Sequence, residues 1–195
     1  MSVFHLGLII NPLAGLGGPA GLKGSDGVAA EALARGAEPK AAERARVALE
    51  LLLPLRERLE FLTFPGPMGG DLLADMGFSH RLLGELHAEE TSAADTRNAV
   101  QALQAEGVAL LLFAGGDGTA RDVCAVAREG QAVLGIPAGV KIQSGVYAVS
   151  PRAAGELTRR LVEGGLVRLG NAEVRDIDET ALRDGRVAAR WYGEL

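Results

Sequence analysis

The stretch Ala109–Val123, with the sequence ALLLFAGGDGTARDV, decides how the rest of this chain is interpreted. An unbroken apolar run, Val108 to Phe113, leads directly into a cluster of glycines. Such a run is typical of a strand buried on both faces of a parallel sheet. Glycines allow a sharp turn and let a ligand approach main-chain N–H groups closely. Helical spacing follows at once, so Asp117 is predicted to lie on a strand-to-helix loop, where open α/β sheets bind ligands.

Strands and helices are predicted to alternate along most of the chain. The predicted strands are Phe4–Ile10, Leu59–Phe64, Leu82–His87, Val108–Phe113 and Ala132–Ile136. The predicted helices are Pro39–Leu53, Gly70–Met76, a segment capped by Ser92 and Asp95, Ala120–Arg128, and a segment that begins at Ser150 and Pro151 with Leu157 and Leu161 facing inward. This alternation predicts an α/β fold with three α/β/α layers and a mostly parallel sheet joined by right-handed crossovers.

The pattern changes near the C-terminus. Ala172–Ile177 and Arg186–Tyr192 are predicted strands, and Arg183-Asp184-Gly185 is a predicted tight turn between them. Two strands alone are only marginally stable. We therefore expect residues 1–168 to form an α/β nucleotide-binding domain and residues 169–195 to begin a β-rich second domain that is truncated in this chain.

Composition and charge exclude several classes of protein. Of the 195 residues 48% are hydrophobic, which is enough for a core, and the net charge of −5 argues against a nucleic-acid partner. The single cysteine, Cys124, excludes a disulfide framework and is expected to be a buried, unreactive thiol. The apolar run Val3–Ile10 is too short to span a membrane, so a soluble, cytoplasmic protein without a membrane partner is expected.

The glycine-rich segment favours phosphate chemistry. Glycine amides at a helix N-terminus form an anion site, and a carboxylate there could bind a phosphate-bound Mg²⁺ or act as a base toward a hydroxyl. The alternative for Asp117-Gly118, a hairpin turn, requires a following strand, which the helical spacing argues against. No GxxxxGK[ST] run is present, Ser144 lacks the GxSxG context, and Gly15–Ala20 matches a dinucleotide fingerprint only weakly. The histidines show no metal-ligand spacing, and Asp176, Asp178 and Glu179, at the end of a predicted strand, are expected to be solvated.

Two glycine-containing motifs carry a resemblance to a known superfamily. NPLAG at Asn11–Gly15 and GGDGT at Gly115–Thr119 resemble the motifs of NAD kinases and of diacylglycerol and sphingosine lipid kinases. Three further stretches are similar to ATP-NAD kinase-like proteins of bacteria and archaea related to AcoX: AGGDGTARDV (114–123), GIPAGVKIQSGVYAVSP (135–151) and RWYGEL (190–195).

The resemblance implies a reaction and a set of site residues. The reaction would transfer phosphate from ATP, or from inorganic polyphosphate, to the ribose 2′-hydroxyl of NAD to give NADP, with Mg²⁺ or another divalent cation accompanying ATP. Asp117 would act as the base or orienting group at that hydroxyl. The resemblance places Gly115, Gly116, Gly118 and Thr119 in the nucleotide loop, with Asn11 and Gly15 on the adjoining phosphate side.

Lys141 is either a cation for a phosphate or a surface lysine, and no residue is predicted as a direct metal ligand. A homo-oligomer is expected. Two other functions stay open at this point: a lipid kinase of the diacylglycerol type, which shares GGDGT, and a non-catalytic nucleotide-binding or regulatory module.

Overall fold

The computed structural model describes residues 3–15, 39–86, 91–139, 142–165, 167–177 and 189–195. Its strands are β1 (Phe4–Ile10), β2 (Leu59–Thr63), β3 (His80–Leu82), β4 (Leu110–Gly115), β5 (Val133–Pro137), β6 (Glu173–Ile177) and β7 (Ala189–Glu194). Its α-helices are α1 (Ala41–Glu50), α2 (Gly70–Asp75), α3 (Ala93–Ala105), α4 (Asp117–Cys124) and α5 (Pro151–Val162). Short 3₁₀ turns cover Leu53–Arg58 and Gly66–Met68.

Five parallel strands form the central sheet in the order β3-β2-β1-β4-β5. The predicted α/β class with a mostly parallel sheet is therefore confirmed. From β1 the chain first moves outward to β2 and β3, and β4 then starts on the opposite side of β1. Because the direction of strand addition reverses between β1 and β4, a crevice is expected at their carboxyl ends, which is where such sheets bind ligands.

Helices cover both faces of this sheet. Alternate β1 side chains enter opposite layers: Leu8 and Ile10 pack among buried residues of α1, α2 and α5, whereas Ile9 packs among those of α3 and α4. β4 is buried along its whole length, as the unbroken apolar run predicted. With the sheet between them, these helical layers give the three-layer α/β/α arrangement. Because both faces of the sheet are covered, a ligand can reach it at the ends of the strands.

Helix starts agree closely with the sequence signals. Ser92 and Asp95 form a capping box on α3, in which Ser92 N–H donates to Asp95 Oδ2 at 2.8 Å and Asp95 N–H donates back to Ser92 Oγ at 3.4 Å. On α5, Ser150 Oγ accepts a hydrogen bond from Ala153 N–H at 3.0 Å, directly before Pro151. Each cap satisfies main-chain donors that the helix itself cannot.

Three sequence predictions about these elements were wrong. The strand predicted at Leu82–His87 instead ends at Leu82, because Gly84 has a φ of +69° that an extended strand does not adopt. Helix α4 ends at Cys124 rather than Arg128. Leu157 is 38% exposed. The buried residues of α5 include Ala154, Thr158 and Val162, which follow one another at four-residue spacing.

The C-terminal strands β6 and β7 pair antiparallel and pack against α4. Val174 is fully buried among apolar residues of α3 and α4, and Asp176 lies 2.9 Å from Arg121 of α4. Asp176, predicted to be solvated, is thus part of a partly buried ion pair. The predicted turn at Arg183–Gly185 lies outside the described residues, and the domain boundary at residue 168 stays a prediction.

Candidate active site

Those residues singled out in the sequence that the structure describes converge at the carboxyl ends of β1 and β4. Asn11 follows β1 directly, and Gly115 is the last residue of β4. Gly116 is the only residue between β4 and α4, so Asp117 opens the helix rather than lying on a longer loop. Its carboxylate therefore stands at the positive end of the α4 dipole, which stabilises negative charge there.

Glycine is required where the loops touch. A Cβ on Gly115 would collide with the Thr119 side chain, and a Cβ on Gly139 would lie 2.8 Å from Gly116 Cα. The N–H groups of Ala138 and Gly139 donate to the Gly115 carbonyl at 2.9 and 3.1 Å. The loops after β4 and β5 are thereby joined through their main chains, with no space for a side chain between them.

The loop after β1 joins the same group. Asn11 Nδ2 donates to Thr119 Oγ1 at 2.9 Å, and Asn11 Oδ1 accepts from Leu13 N–H at 3.1 Å. Thr119 is only 3% exposed, so its hydroxyl serves this inter-loop bond. Gly15 has a φ of +86°, and a Cβ there would lie 2.6 Å from the Ala138 carbonyl oxygen. NPLAG and GGDGT, far apart in the sequence, thus form one structural unit.

Asp117 accepts three hydrogen bonds from the segment that follows β5. Its Oδ2 accepts from Gln143 N–H at 2.8 Å, and its Oδ1 accepts from Ser144 N–H at 3.0 Å and from the Ser144 hydroxyl at 2.7 Å. A carboxylate offers about four lone-pair sites, so Oδ2 has capacity for one further donor. The carboxylate is held in one orientation and can still accept a hydrogen bond from a ligand hydroxyl.

Tyr147 is hydrogen-bonded to the main chain of the glycine turn. Its hydroxyl donates to the Gly116 carbonyl at 2.5 Å, and its ring packs edge-to-face on Phe113 with centroids 5.2 Å apart. Burial raises the pKa of Tyr147 well above its ordinary value, and the negative charges of Asp117 and Asp176 raise it further. The phenol therefore keeps its proton and continues to donate at neutral pH.

Sequence reasoning missed Tyr147 as a supporting residue and considered Ser144 only as a hydrolase nucleophile. Both residues lie in the stretch GIPAGVKIQSGVYAVSP (135–151). Their roles depend on contacts with Gly116 and Asp117, which no local spacing reveals. Lys141, from the same stretch, lies outside the described residues.

The first turn of α4 is suited to an anion. The N–H groups of Asp117, Gly118 and Thr119 have no acceptor within the helix, and the N-cap residue Gly116 has no side chain with which to cap them. Such amides, with the helix dipole behind them, are a ready site for phosphate oxygens. Gly118, predicted from the motif, is the second residue of this turn.

The other candidate groups within the described residues form no separate metal site. Among the described residues there is no group of three or more His, Cys, Asp or Glu side chains that could hold a metal ion. His5 faces Glu60 at 3.3 Å on neighbouring strands, and His80 Nδ1 lies 2.9 Å from the Phe78 carbonyl. Cys124 is half-buried rather than buried, and this burial raises the pKa of its thiol. His87, Asp178 and Glu179 lie outside the described residues.

The parallel α/β sheet has glycine-rich loops and the N-terminal amides of α4 at the point where its strand order reverses. This arrangement is typical of the class of domains that bind phosphate-bearing ligands. A family model described as the ATP-NAD kinase N-terminal domain matches residues 6–166. The chain therefore belongs to this ATP-NAD kinase family. Membership indicates a kinase, a phosphotransferase acting on NAD-like or related substrates, in a family that generally uses ATP with divalent cations.

A comparison with curated proteins finds no match for the chain. Across the ranges that the structure describes, no helix has the length and apolar character needed to cross a membrane.

Proposed function

We propose that this protein is an NAD kinase-like enzyme that transfers a phosphoryl group from ATP or polyphosphate to the ribose 2′-hydroxyl of NAD, giving NADP. The single observation that carries the proposal is the Asp117 carboxylate. It is held by three donors at the N-terminus of α4, and Oδ2 can accept one more hydrogen bond. An acceptor hydroxyl bonded to Oδ2 would lie beside the amides that suit a phosphate.

The chemistry follows from these positions. The acceptor hydroxyl oxygen attacks the terminal phosphorus of the donor, a new P–O bond forms, and the bond to the leaving phosphate breaks. The hydroxyl proton passes to Asp117 Oδ2, while the first-turn amides of α4 stabilise charge on the phosphoryl oxygens. This reaction depends mainly on positioning and on charge neutralisation, both of which the glycine turn is suited to provide.

A divalent cation fits this site as a companion of the nucleotide. Mg²⁺ commonly keeps several waters and binds through substrate phosphates rather than in an all-protein cage. No three-ligand group among the described residues competes with that arrangement. When bound with ATP, the cation would neutralise charge on the phosphates.

The nucleotide-binding residues that we propose, in addition to catalytic Asp117, are Asn11, Gly15, Gly115, Gly116, Gly118, Thr119 and Lys141. Asn11 and Thr119 would act by fixing the loops, because their polar side chains already bond to each other. We propose a homo-oligomer, and a nucleotide-binding lobe in residues 1–168 with the β-strand segment 169–195 beside it.

The test is NADP formation from NAD, Mg²⁺ and either ATP or polyphosphate, followed with an NADP-specific enzymatic assay. We expect Asp117→Asn to lower kcat by about 10²- to 10⁴-fold, since the amide cannot take the proton. Asp71→Asn is the matched control, because Asp71 is also a first-turn acidic residue but is exposed on α2. Full activity in Asp117→Asn would contradict the catalytic role.

Two results would replace this proposal with another. Phosphorylation of diacylglycerol in mixed micelles, with no NADP formed from NAD, would indicate a lipid kinase. Calorimetric ATP binding with no turnover of either acceptor would indicate a nucleotide-binding or regulatory module.

A further inference from the structure

The Ser144 side chain is enclosed between Asp117 and strand β6. The residue is 6% exposed, and its Oγ lies 2.7 Å from Asp117 Oδ1, 2.8 Å from the Arg175 carbonyl oxygen and 3.0 Å from the Arg175 nitrogen. Buried hydroxyls are normally hydrogen-bonded, and the three polar neighbours of this one restrict its position.

The direction of these hydrogen bonds can be assigned. A hydroxyl has a single proton, so Ser144 donates to only one of its two possible acceptors at a time. The ionised Asp117 carboxylate is the stronger acceptor and also the nearer one. Arg175 N–H donates to the same hydroxyl oxygen, which polarises the O–H bond toward Asp117. The result is a continuous series of hydrogen bonds from the Arg175 main chain of β6 through the Ser144 hydroxyl to the Asp117 carboxylate.

Strand β6 is itself held in place by several contacts, so it can fix the position of the Ser144 hydroxyl. Gly145 N–H donates to the Glu173 carbonyl at 2.8 Å, next to the Ser144 contacts. Val174 is fully buried, and the Arg121–Asp176 pair joins β6 to α4, the helix that begins with Asp117 itself. Ser144 is therefore fixed relative to Asp117 from two sides.

We infer that Ser144 is a positioning residue for phosphoryl transfer: its hydroxyl holds Asp117 Oδ1 against β6 so that Oδ2 faces the acceptor hydroxyl. This inference rests on the proposed function. On this inference, β6 helps to position Asp117, because the main chain of Arg175 holds the Ser144 hydroxyl in place.

The test compares Ser144→Ala and Ser144→Cys with the wild type. Alanine removes the hydroxyl, and cysteine keeps a side chain of similar shape with a much weaker donor. We expect both to lower kcat about 10- to 100-fold, since a small misplacement of a reacting group has effects of that order. The KM values for NAD and ATP should change less than about threefold, because the lost interaction acts on the reaction step.

The control is Ser150→Ala, which also removes a serine hydroxyl that accepts a main-chain N–H, but at the start of α5. It should lower thermal stability while leaving kcat near the wild-type value. A purely structural role for Ser144 would make its variants resemble this control, and that outcome would overturn the inference while leaving the proposed function intact. If Ser144→Ala does not fold, Ser144→Cys decides.

A second measurement separates the two proposals. If the wild type phosphorylates no NAD-like acceptor, the proposed function fails, and amide hydrogen exchange then tests Ser144 independently of activity. In the Ser144 variants the amides of residues 143 and 144, which donate to Asp117, should exchange faster than in the wild type. Unchanged exchange would overturn the positioning role.

Discussion

The carboxamide nitrogen of Asn11 lies 2.9 Å from the Thr119 hydroxyl oxygen, joining residues 108 positions apart in the chain. The bond spans the carboxyl ends of β1 and β4, where the order of strand addition reverses. Two loops that diverge at this point are thereby kept at a fixed separation. This side-chain contact adds to the main-chain bond in which Asn11 N–H donates to the Ala114 carbonyl at 2.9 Å.

Breaking the Asn11–Thr119 bond should cost stability. Asn11→Ala leaves the Thr119 hydroxyl buried without its donor and should lower the free energy of unfolding by about 1–3 kcal/mol. Thr119→Val should have a cost of similar size. Because both remove one interaction, the double variant should lose less than the sum of the single losses. Urea unfolding measures all three, and strict additivity would show that the two side chains do not interact.

The contact between Gly116 and Gly139 should not tolerate a side chain. Gly139→Ala would put a Cβ 2.8 Å from Gly116 Cα, so the β4 and β5 loops must move apart. We expect an unfolding free energy lower by about 1–3 kcal/mol, together with weaker nucleotide binding. The matched control is Gly170→Ala, because nothing lies within 4 Å of its added Cβ. Equal stability of the two variants, measured by thermal unfolding, would contradict the close approach.

Tyr147 should make the free energy of unfolding fall as the pH rises in the alkaline range. The pKa of a tyrosine in the unfolded chain is about 10, and burial followed by the charges of Asp117 and Asp176 raises the folded value well above this. Between these two pKa values the unfolded chain loses a proton that the folded chain keeps, so stability falls as the pH rises. The contribution of Tyr147 is complete below about pH 10 and is lost as the pH rises through the folded pKa.

Tyr147→Phe removes this titration and the hydrogen bond to the Gly116 carbonyl. Near pH 8 we expect the variant to be about 0.5–1.5 kcal/mol less stable than the wild type. Above about pH 10 the difference should shrink and then reverse, as only the wild type must keep a buried phenol neutral. Urea unfolding across this range measures the difference, and a constant gap would refute the assignment.

Docking of the C-terminal strands should control the reactivity of Cys124. The thiol sulfur lies 3.8 Å from the Glu194 carbonyl oxygen of β7. Burial raises the pKa of this thiol, which lowers the fraction present as the reactive thiolate. Val174→Ala removes fully buried methyl groups between β6 and α4 and should weaken packing by about 1–3 kcal/mol. Thiol labelling with a chromogenic disulfide should then be about fivefold faster or more.

Val149→Ala is the control for this experiment, since Val149 is 97% exposed and its truncation removes no buried contact. Labelling of this variant should match the wild type. If Val174→Ala labels no faster than Val149→Ala, the strands do not shield the thiol.

Local patterns in the sequence predicted much of the fold. The unbroken apolar run from Val108 to Phe113, followed by glycines, predicted a buried strand and a sharp turn. Both signals are local, because apolar character and the freedom of φ at glycine are properties of the segment itself. Ser92 with Asp95, and Ser150 before Pro151, specified helix starts for the same reason, as a cap needs only neighbours within a turn. Predictions failed where residues distant in the sequence decide. Pairing with β2 starts β3 at His80, and the packing of α5 leaves Leu157 exposed.

The sequence by itself therefore determined the parallel α/β class and the motifs that mark the site. Only the tertiary structure decided how those motifs work together. The donors to Asp117 come from residues 26 and 27 positions away, and the partner of Asn11 from 108 positions away. Such contacts follow from strand order and from the docking of β6 on α4. They depend on the whole packed sheet, because no segment on its own holds two distant loops within hydrogen-bonding distance.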